Sequence, residues 1–524
     1  MHSDLDTLEF DAIRRILARL TFTPYGDEAA RGLEPAPDIA LAQCMQTAVT
    51  AARQVVDAGE QPNLGQVPDI RAAMRQVAQA GSALSAQALH HIRSLSKMAA
   101  LWQRLVADYR DLYAQPECLR APDDLLSAID RVVNEQGRLR EDATAEHVEL
   151  YRLFHAQQAE IQRQLKEMIQ DAAFKGAFSG SESIQWHGVR AVLAVKTAFA
   201  DRIKGVRRGN VAGGREVLME PMVVVAGNNR LETLHGQIEA QNQRILRETA
   251  DVVRVYLPAL QQMIDAMAWV DLALAAGQFS AAMNASAPML VAEARLSLQQ
   301  VYHPQLLLQF QQRQVQQLVP LTVTLDTDSP MLVITGPNTG GKTVVLKTVG
   351  VLVTMAHCGL HIPAEGLCVI GDFSRVIIDV GDKQSLHHHL STFAGHVAVL
   401  RRLLDEADAR TLVLLDELGT GTDPEEGASL AMAVLDELAS RQVRGIVTTH
   451  LSPLKVFASE HAWLHNASMR FDHEHLTPTY QLELGKPGQS LGLIIAEKNG
   501  LPAPLLAHAR VYLARLQQGG FDVS

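Results

Sequence analysis

Cysteine is scarce in this chain of 524 residues, and its four occurrences, Cys44, Cys118, Cys358 and Cys368, are scattered. No pair has redox or metal-ligand spacing, which reads as a reduced, cytoplasmic protein. Long apolar runs are also missing, and the opening Met1-His2-Ser3-Asp4-Leu5-Asp6 is acidic where a signal peptide is basic, so no membrane partner is expected. Excess positive charge is absent: 47 Lys and Arg stand against 58 Asp and Glu, a net charge of −11. Any contact with a polyanion must therefore come from a local patch. No zinc-finger spacing or RNA-binding aromatic signature is present, and proline does not occur between Asp123 and Glu220. A chain this long exceeds one core and predicts two to four domains.

What is present begins with helices. From Leu8 to about Asp130, apolar residues such as Ile13, Ile16, Leu17 and Leu20 recur at helical spacing and predict a scaffold without chemistry of its own. The first half of the proline-free stretch predicts one long helix, with Phe154, Ile161, Leu165, Met168 and Ala172 on a near-heptad seam. A second helix is predicted from about Asn229 to Trp269, with Leu231, Leu234, Ile238, Ile245 and Leu246 on its apolar face. Such a pair would make an antiparallel arm; about forty residues per helix would reach roughly 60 Å.

Between the two helices, Ile184 to Val225 is strand-like, glycine-broken and basic. Arg190, Lys196, Arg202, Lys204, Arg207, Arg208 and Arg215 face the single acid Asp201 between His187 and Arg215. They are either a contact for a phosphate backbone or an ordinary solvated loop.

The chemistry is concentrated between Gly336 and His450. Gly336-Pro337-Asn338-Thr339-Gly340-Gly341-Lys342-Thr343 fits G-x-x-x-x-G-K-[ST] between the apolar run Met331-Leu332-Val333-Ile334 and a helical segment. Glycines let successive backbone N–H groups close on phosphate oxygens at a helix N-terminus, Lys342 would reach the β and γ phosphates, and Thr343 would ligate Mg2+. The buried-strand run Thr411-Leu412-Val413-Leu414-Leu415 ends in Asp416-Glu417, giving Asp416 for the metal and Glu417 as general base. A third run, Gly445-Ile446-Val447-Thr448-Thr449, ends in His450, which could sense the γ phosphate or orient water. The Leu-Ser-Gly-Gly-Gln signature of transporter-type ATPases is absent; Leu390-Ser391-Thr392-Phe393 opens a helix through His396 instead. Ser391 caps that helix or presents its N-terminus to a phosphate, including one on a neighbouring subunit. The run His387-His388-His389 points to different sides of a helix and is a poor metal set.

The segments Thr335–Thr343, Leu390–Phe393, Asp416–Thr422 and Thr448–His450, in that order, resemble the four nucleotide motifs of the MutS family of DNA-repair proteins. Leu8-Glu9-Phe10-Asp11, Glu220-Pro221, Asn228-Asn229, Asn466-Ala467-Ser468-Met469 and Gly485-Lys486-Pro487-Gly488 resemble its bacterial MutS-two branch. The resemblance implies a homodimeric ABC-type ATPase using ATP and Mg2+, in which Ser391 of one subunit completes the site of the other and the arms clamp a nucleic acid. Branched or structured DNA in repair or recombination is the expected substrate, with a ribosome-associated ATPase acting on stalled ribosomes as the alternative.

Departures from the family matter as well. None of the thirteen phenylalanines is followed by x-Glu, so the mismatch-reading wedge is not expected. The chain stops at Ser524 without the Smr nuclease domain usual in the branch, so no nuclease activity is expected. Arg190–Lys196 stands where the branch usually has a Gly-Arg-Tyr start. The expected organisation is a helical core and lever (1–130), a helical clamp arm with a basic β-rich tip at about 184–226 (131–290), an α/β P-loop ATPase and dimerisation domain (291–516), and a short tail (517–524).

Overall fold

The three strand-like runs that flank the candidate site residues become neighbouring parallel strands in the computed structural model: Thr411–Leu415, Arg444–Thr449 and Met331–Thr335. The structure describes residues 2–60, 67–178, 184–210, 215–336, 340–380, 392–472, 477–486, 493, 496–497 and 500–517. Burial on both faces explains runs that are apolar throughout rather than alternating. Leu332, Ile334, Leu412, Leu414 and Ile446 enter one core cluster, while Met331, Val333, Val413, Leu415 and Val447 enter another. The first cluster is completed by the helix Lys342–His357, the second by the helices Pro424–Ser440 and Ser452–Glu460.

These strands are the middle of a seven-stranded sheet. On one side, Arg375–Asp379 pairs with Thr411–Leu415, and His2–Ser3 pairs in parallel with Arg375 and Val376. On the other side, Leu464–Asp472 runs parallel to Met331–Thr335 and pairs antiparallel with Thr477–Leu484. The N-terminus is thus part of the sheet. Leu8 and Phe10 are buried in its core, and a Cβ on Gly350 would lie 2.4 Å from Leu8 Cδ2.

The chain divides into two compact units that are discontinuous in sequence. One comprises Met1–Gly65, Leu105–Ala114 and Met267–Ser524, the other Gln66–Arg104 and Gln115–Ala266. The contiguous boundaries expected above cut the chain differently, because pairing between His2–Ser3 and Arg375–Val376 spans a sequence distance that local pattern does not reveal. The first unit also contains a mixed four-stranded sheet of Met289–Val291, Val369–Gly371, Leu296–Val301 and Leu321–Leu325. In the same unit, buried Asp271 accepts from Phe22 N–H (2.9 Å), Thr23 N–H (2.8 Å) and Thr23 Oγ1 (2.6 Å).

The second unit contains the arm. Instead of one helix from Asp123, the chain makes Asp123–Val132, a turn at Gly137 with φ +73°, and the helix Ala145–Gln170 capped by Thr144. The partner helix is Met222–Val255, ending where Pro258 cannot supply an N–H to continue it; Leu257–Ala282 starts anew. At 26 and 34 residues, the two arm helices measure about 39 Å and about 51 Å rather than 60 Å. They run antiparallel: His147 bonds Asn242 (2.8 Å), Phe154 lies against His235, and Ile161 sits beside Gly227. Ile161, Leu165 and Leu231 join the core of the tip, with Phe154 and Met168 packed against it. Ala172, expected on that seam, falls in an exposed 3-10 turn past the helix end. Between the helices, Ile184–His187, Arg190–Lys196, Glu216–Pro221 and Gly205–Asn210 form a four-stranded antiparallel sheet in that spatial order.

Among the described residues no helix is long and apolar enough to cross a membrane.

Candidate nucleotide site

The site is built at the carboxyl ends of the central strands. Met331–Thr335 is buried along its whole length and delivers Gly336, whose φ of +143° is open to glycine. Gly341, with φ +90°, caps the helix Lys342–His357; a Cβ there would meet the Tyr480 ring at 3.0 Å. Pro337, Asn338 and Thr339 lie outside the described residues, and Gly340 is buried. Lys342 is only 2% exposed and donates from Nζ to Gly336 O at 2.7 Å. Burial lowers its pKa, and the nearby Asp416 and Glu417 oppose the shift without cancelling it.

One residue on, Thr343 Oγ1 donates to Asp416 Oδ2 at 2.6 Å. Asp416 stands one position past the buried strand Thr411–Leu415, where its N–H donates to Asp379 O at 2.8 Å. Its other oxygen, Oδ1, accepts from Thr448 Oγ1. The same Thr448 hydroxyl accepts from the N–H of Glu417 at 2.9 Å, and Thr448 O accepts from Leu418 N–H at 3.0 Å. Glu417 is held at φ +52°, a left-handed conformation that costs a non-glycine residue about 1 kcal/mol or more and is characteristic of functional sites. His450 follows the strand Arg444–Thr449 and is exposed. Lys342, Thr343, Asp416 and Glu417 are therefore brought together. Ser391 and the run His387–His389 lie outside the described residues; among the described residues no cluster of His, Cys, Asp and Glu is arranged to hold a metal ion by itself.

These features fall within residues 332–517, which match the family model MutS domain V. Over 517 residues the chain is 35% identical to the protein named Endonuclease MutS2 of Symbiobacterium thermophilum, covering 98% of this chain and 64% of that one. It is 33% identical over 516 residues to that of Halothermothrix orenii (96% and 64%), and 34% over 531 residues to that of Thermus thermophilus (99% and 66%). The chain belongs to the MutS family and is MutS2-like. It spans just under two thirds of the length of these relatives.

Three parts of the site in this MutS-family chain were not singled out from sequence. Thr448 was visible only as a letter in a motif, yet its hydroxyl joins both acids. Asp379, at the end of the strand Arg375–Asp379, accepts from His396 Nδ1 at 3.0 Å, and this bond raises the pKa of His396 above its usual value. The available signal was an acid ending the apolar run Val376-Ile377-Ile378, the same pattern that drew attention to Asp416. Third, a cavity of about 270 Å³ adjoins Gly341, lined mainly by apolar residues including Val301, Leu318, Val344, Met469 and the ring of Tyr480. It joins segments far apart in sequence, so no local pattern announces it.

The basic tip of the MutS-family arm is more occupied than its composition suggests. Glu220 is fully buried, and Arg190 and Arg208 both donate to it, at 2.7 Å each, with Asn228 Nδ2 at 2.8 Å. Burial would raise the Glu220 pKa, but these donors outweigh it and hold the carboxyl below its ordinary value. Asn228 also clasps Ala191 by its N–H (3.0 Å) and O (2.9 Å), which gives the Glu220 and Asn228 positions a role in joining sheet to helix. Lys196 donates to Gly176 O at 3.1 Å and pairs across the ladder with Glu216; Arg202 lies over the Phe199 ring at 5.2 Å. Lys204, Arg207 and Arg215 are exposed and make no side-chain bond to a described residue.

Proposed function

We propose that the chain hydrolyses ATP to ADP and phosphate and couples this to the binding of structured DNA, in the manner of a homodimeric MutS-type clamp. The observation that carries the proposal is the connected set Lys342, Thr343, Asp416, Thr448 and Glu417 at the head of a buried strand–loop–helix. The donor set fits Mg2+: a threonine hydroxyl and a carboxylate, both oxygen, lie together at the start of a helix, leaving other positions for water and phosphate. Bound there by Thr343 and Asp416, Mg2+ would neutralise charge on the β and γ phosphates.

The remaining work belongs to the protein. Backbone N–H groups of the segment Gly336 to Thr343 hold phosphate oxygens, and Lys342, already desolvated, places its ammonium against them. The apolar cavity beside Gly341 takes the base, with Tyr480 offering a ring face. Glu417 accepts a proton from the attacking water, its backbone held by Thr448, and His450 orients that water. Ser391 of a second copy closes the site in trans, so turnover depends on dimerisation through this unit. Lys204, Arg207 and Arg215, with Arg202 and Lys196, make the phosphate-backbone contact at the arm tip.

Glu417→Gln tests the core of the proposal. The variant is expected to bind ATP with Mg2+ as the wild type does and to lose hydrolysis; unchanged turnover would refute the base assignment. Turnover measured beside branched DNA, plain duplex and ribosomes in parallel identifies the partner, with the largest stimulation expected from branched DNA.

A further inference from the structure

Asp379 joins two parts of the nucleotide-binding unit, at Asp416 and His396, that sequence places 20 residues apart. Its backbone carbonyl receives the N–H of Asp416 (2.8 Å), and its carboxylate receives Nδ1–H of His396 (3.0 Å) in the first turns of the helix Thr392–Glu406. Both partners of the pair are largely buried, with His396 at 23% and Asp379 at 18% side-chain exposure. His396 and Asp416 also line one small cavity of about 20 Å³, with Leu415, Leu418, Gly419 and Thr420. That is room for roughly one water between polar groups.

Other bonds hold the same helix farther along: Arg375 and Arg441 donate to the carbonyls of Glu406 (2.6 Å) and Leu404 at its far end. Arg402 pairs with Asp4, which accepts from Ile378 N–H at 3.3 Å, but Arg402 is 42% exposed, and such surface pairs contribute little. The His396 bond differs in lying near the helix start and in ending on the residue that fixes the backbone of Asp416.

We propose that His396, held by Asp379, is a positioning residue for hydrolysis: it sets the start of the helix Thr392–Glu406 against the strand ends that carry Asp416 and Glu417. The inference rests on the ATP-hydrolysis proposal above. Nucleotide affinity is assigned to Lys342, Thr343, Asp416 and the glycine loop, none of which His396 bonds. Its loss should therefore act on the rate of the chemical step and leave binding in place.

The experiment compares wild type, His396→Ala, His396→Asn and His396→Gln in the full chain, by steady-state ATP turnover and by equilibrium binding of a fluorescent ATP analogue with Mg2+. His396→Ala is expected to lower kcat by about tenfold or more while affinity stays within about threefold, the range typical of lost supporting hydrogen bonds. The Asn amide can stand where Nδ1–H donates and should restore most of the rate; Gln, which reaches the Nε2 position, should not. Wild-type turnover in His396→Ala overturns the inference alone, as does an Asn variant no better than Ala. So does a joint loss of affinity and rate, which marks a role in folding. Absence of ATP binding and turnover in the wild type would instead remove the underlying proposal and the inference with it.

Discussion

Thr448 connects the two acidic residues of the site through a single hydroxyl, donating to Asp416 and accepting from the Glu417 N–H. Thr448→Val keeps the shape and removes both bonds, leaving a buried amide without its acceptor. Turnover should fall about 10–100-fold with a raised Mg2+ requirement, and Thr448→Ser should recover it; a Mg2+ titration of turnover across the three proteins decides. Asp271 gives a pH signature at the same scale. Burial raises its pKa to about 6, and the bonds from Thr23 and Phe22 only partly offset this. The unfolded carboxyl titrates near 3.9, so between these values the folded state holds a proton the unfolded state has released, and stability falls as pH rises through that window. Relative to Asp271→Asn, the wild type should lose about 2–3 kcal/mol from about pH 4 to about pH 7 in urea unfolding, since each pKa unit is worth about 1.4 kcal/mol. A difference independent of pH would refute the assignment. At this scale Lys342, Thr343, Asp416 and Glu417 were legible because each ends or begins a strongly patterned run. Asp379, Thr448 and Asp271 were not, because their roles arise from partners 17 to 249 residues away.

Elements were legible in kind and blurred at their ends. The alternating strands and helices around Gly336–Thr343 and the strand-like tip were readable as such, while the arm was overestimated in length. The signals that shorten it are ordinary ones: Gly137 in a left-handed turn, Thr144 as a cap, and Pro258 three residues past the end of Met222–Val255. Apolar periodicity outweighed them. Close helix packing, by contrast, is invisible to periodicity. Gly277, in the helix Leu257–Ala282, approaches the helix Ile39–Asp57 so closely that a Cβ would sit 2.7 Å from Ala52 C and 2.8 Å from Arg53 N. Backbone cannot move aside as a side-chain tip can. Gly277→Ala should therefore destabilise by about 1–3 kcal/mol, although alanine is the better helix former. Thermal unfolding checks this against Gly236→Ala on an open helix face, where nothing lies within 4 Å and the change should be neutral or stabilising.

For the molecule as a whole, the net charge of −11 makes the location of positive groups decisive. An acidic chain gains affinity for DNA only where exposed cations meet phosphates and release counterions. Five of the seven basic residues at the arm tip divide into two sets. Arg190 and Arg208 neutralise buried Glu220, so replacing them removes a partner from an interior carboxylate. Arg190→Ala should lower the melting temperature, since breaking such a pair costs about 3–5 kcal/mol. Lys204, Arg207 and Arg215 stand clear of that cluster, and changing all three to Ala should leave melting nearly unchanged. If they contact duplex backbone, the triple variant should bind DNA more weakly and lose about 0.9 from the slope of log K against log salt for each contact removed, close to 2.7 in all. Fluorescence anisotropy over a salt series, on branched and plain duplex alike, measures that slope. A variant with unaltered slope and affinity would take the tip out of the DNA site, whereas lost affinity in Arg190→Ala alone, accompanied by melting, would show only that the tip must be folded.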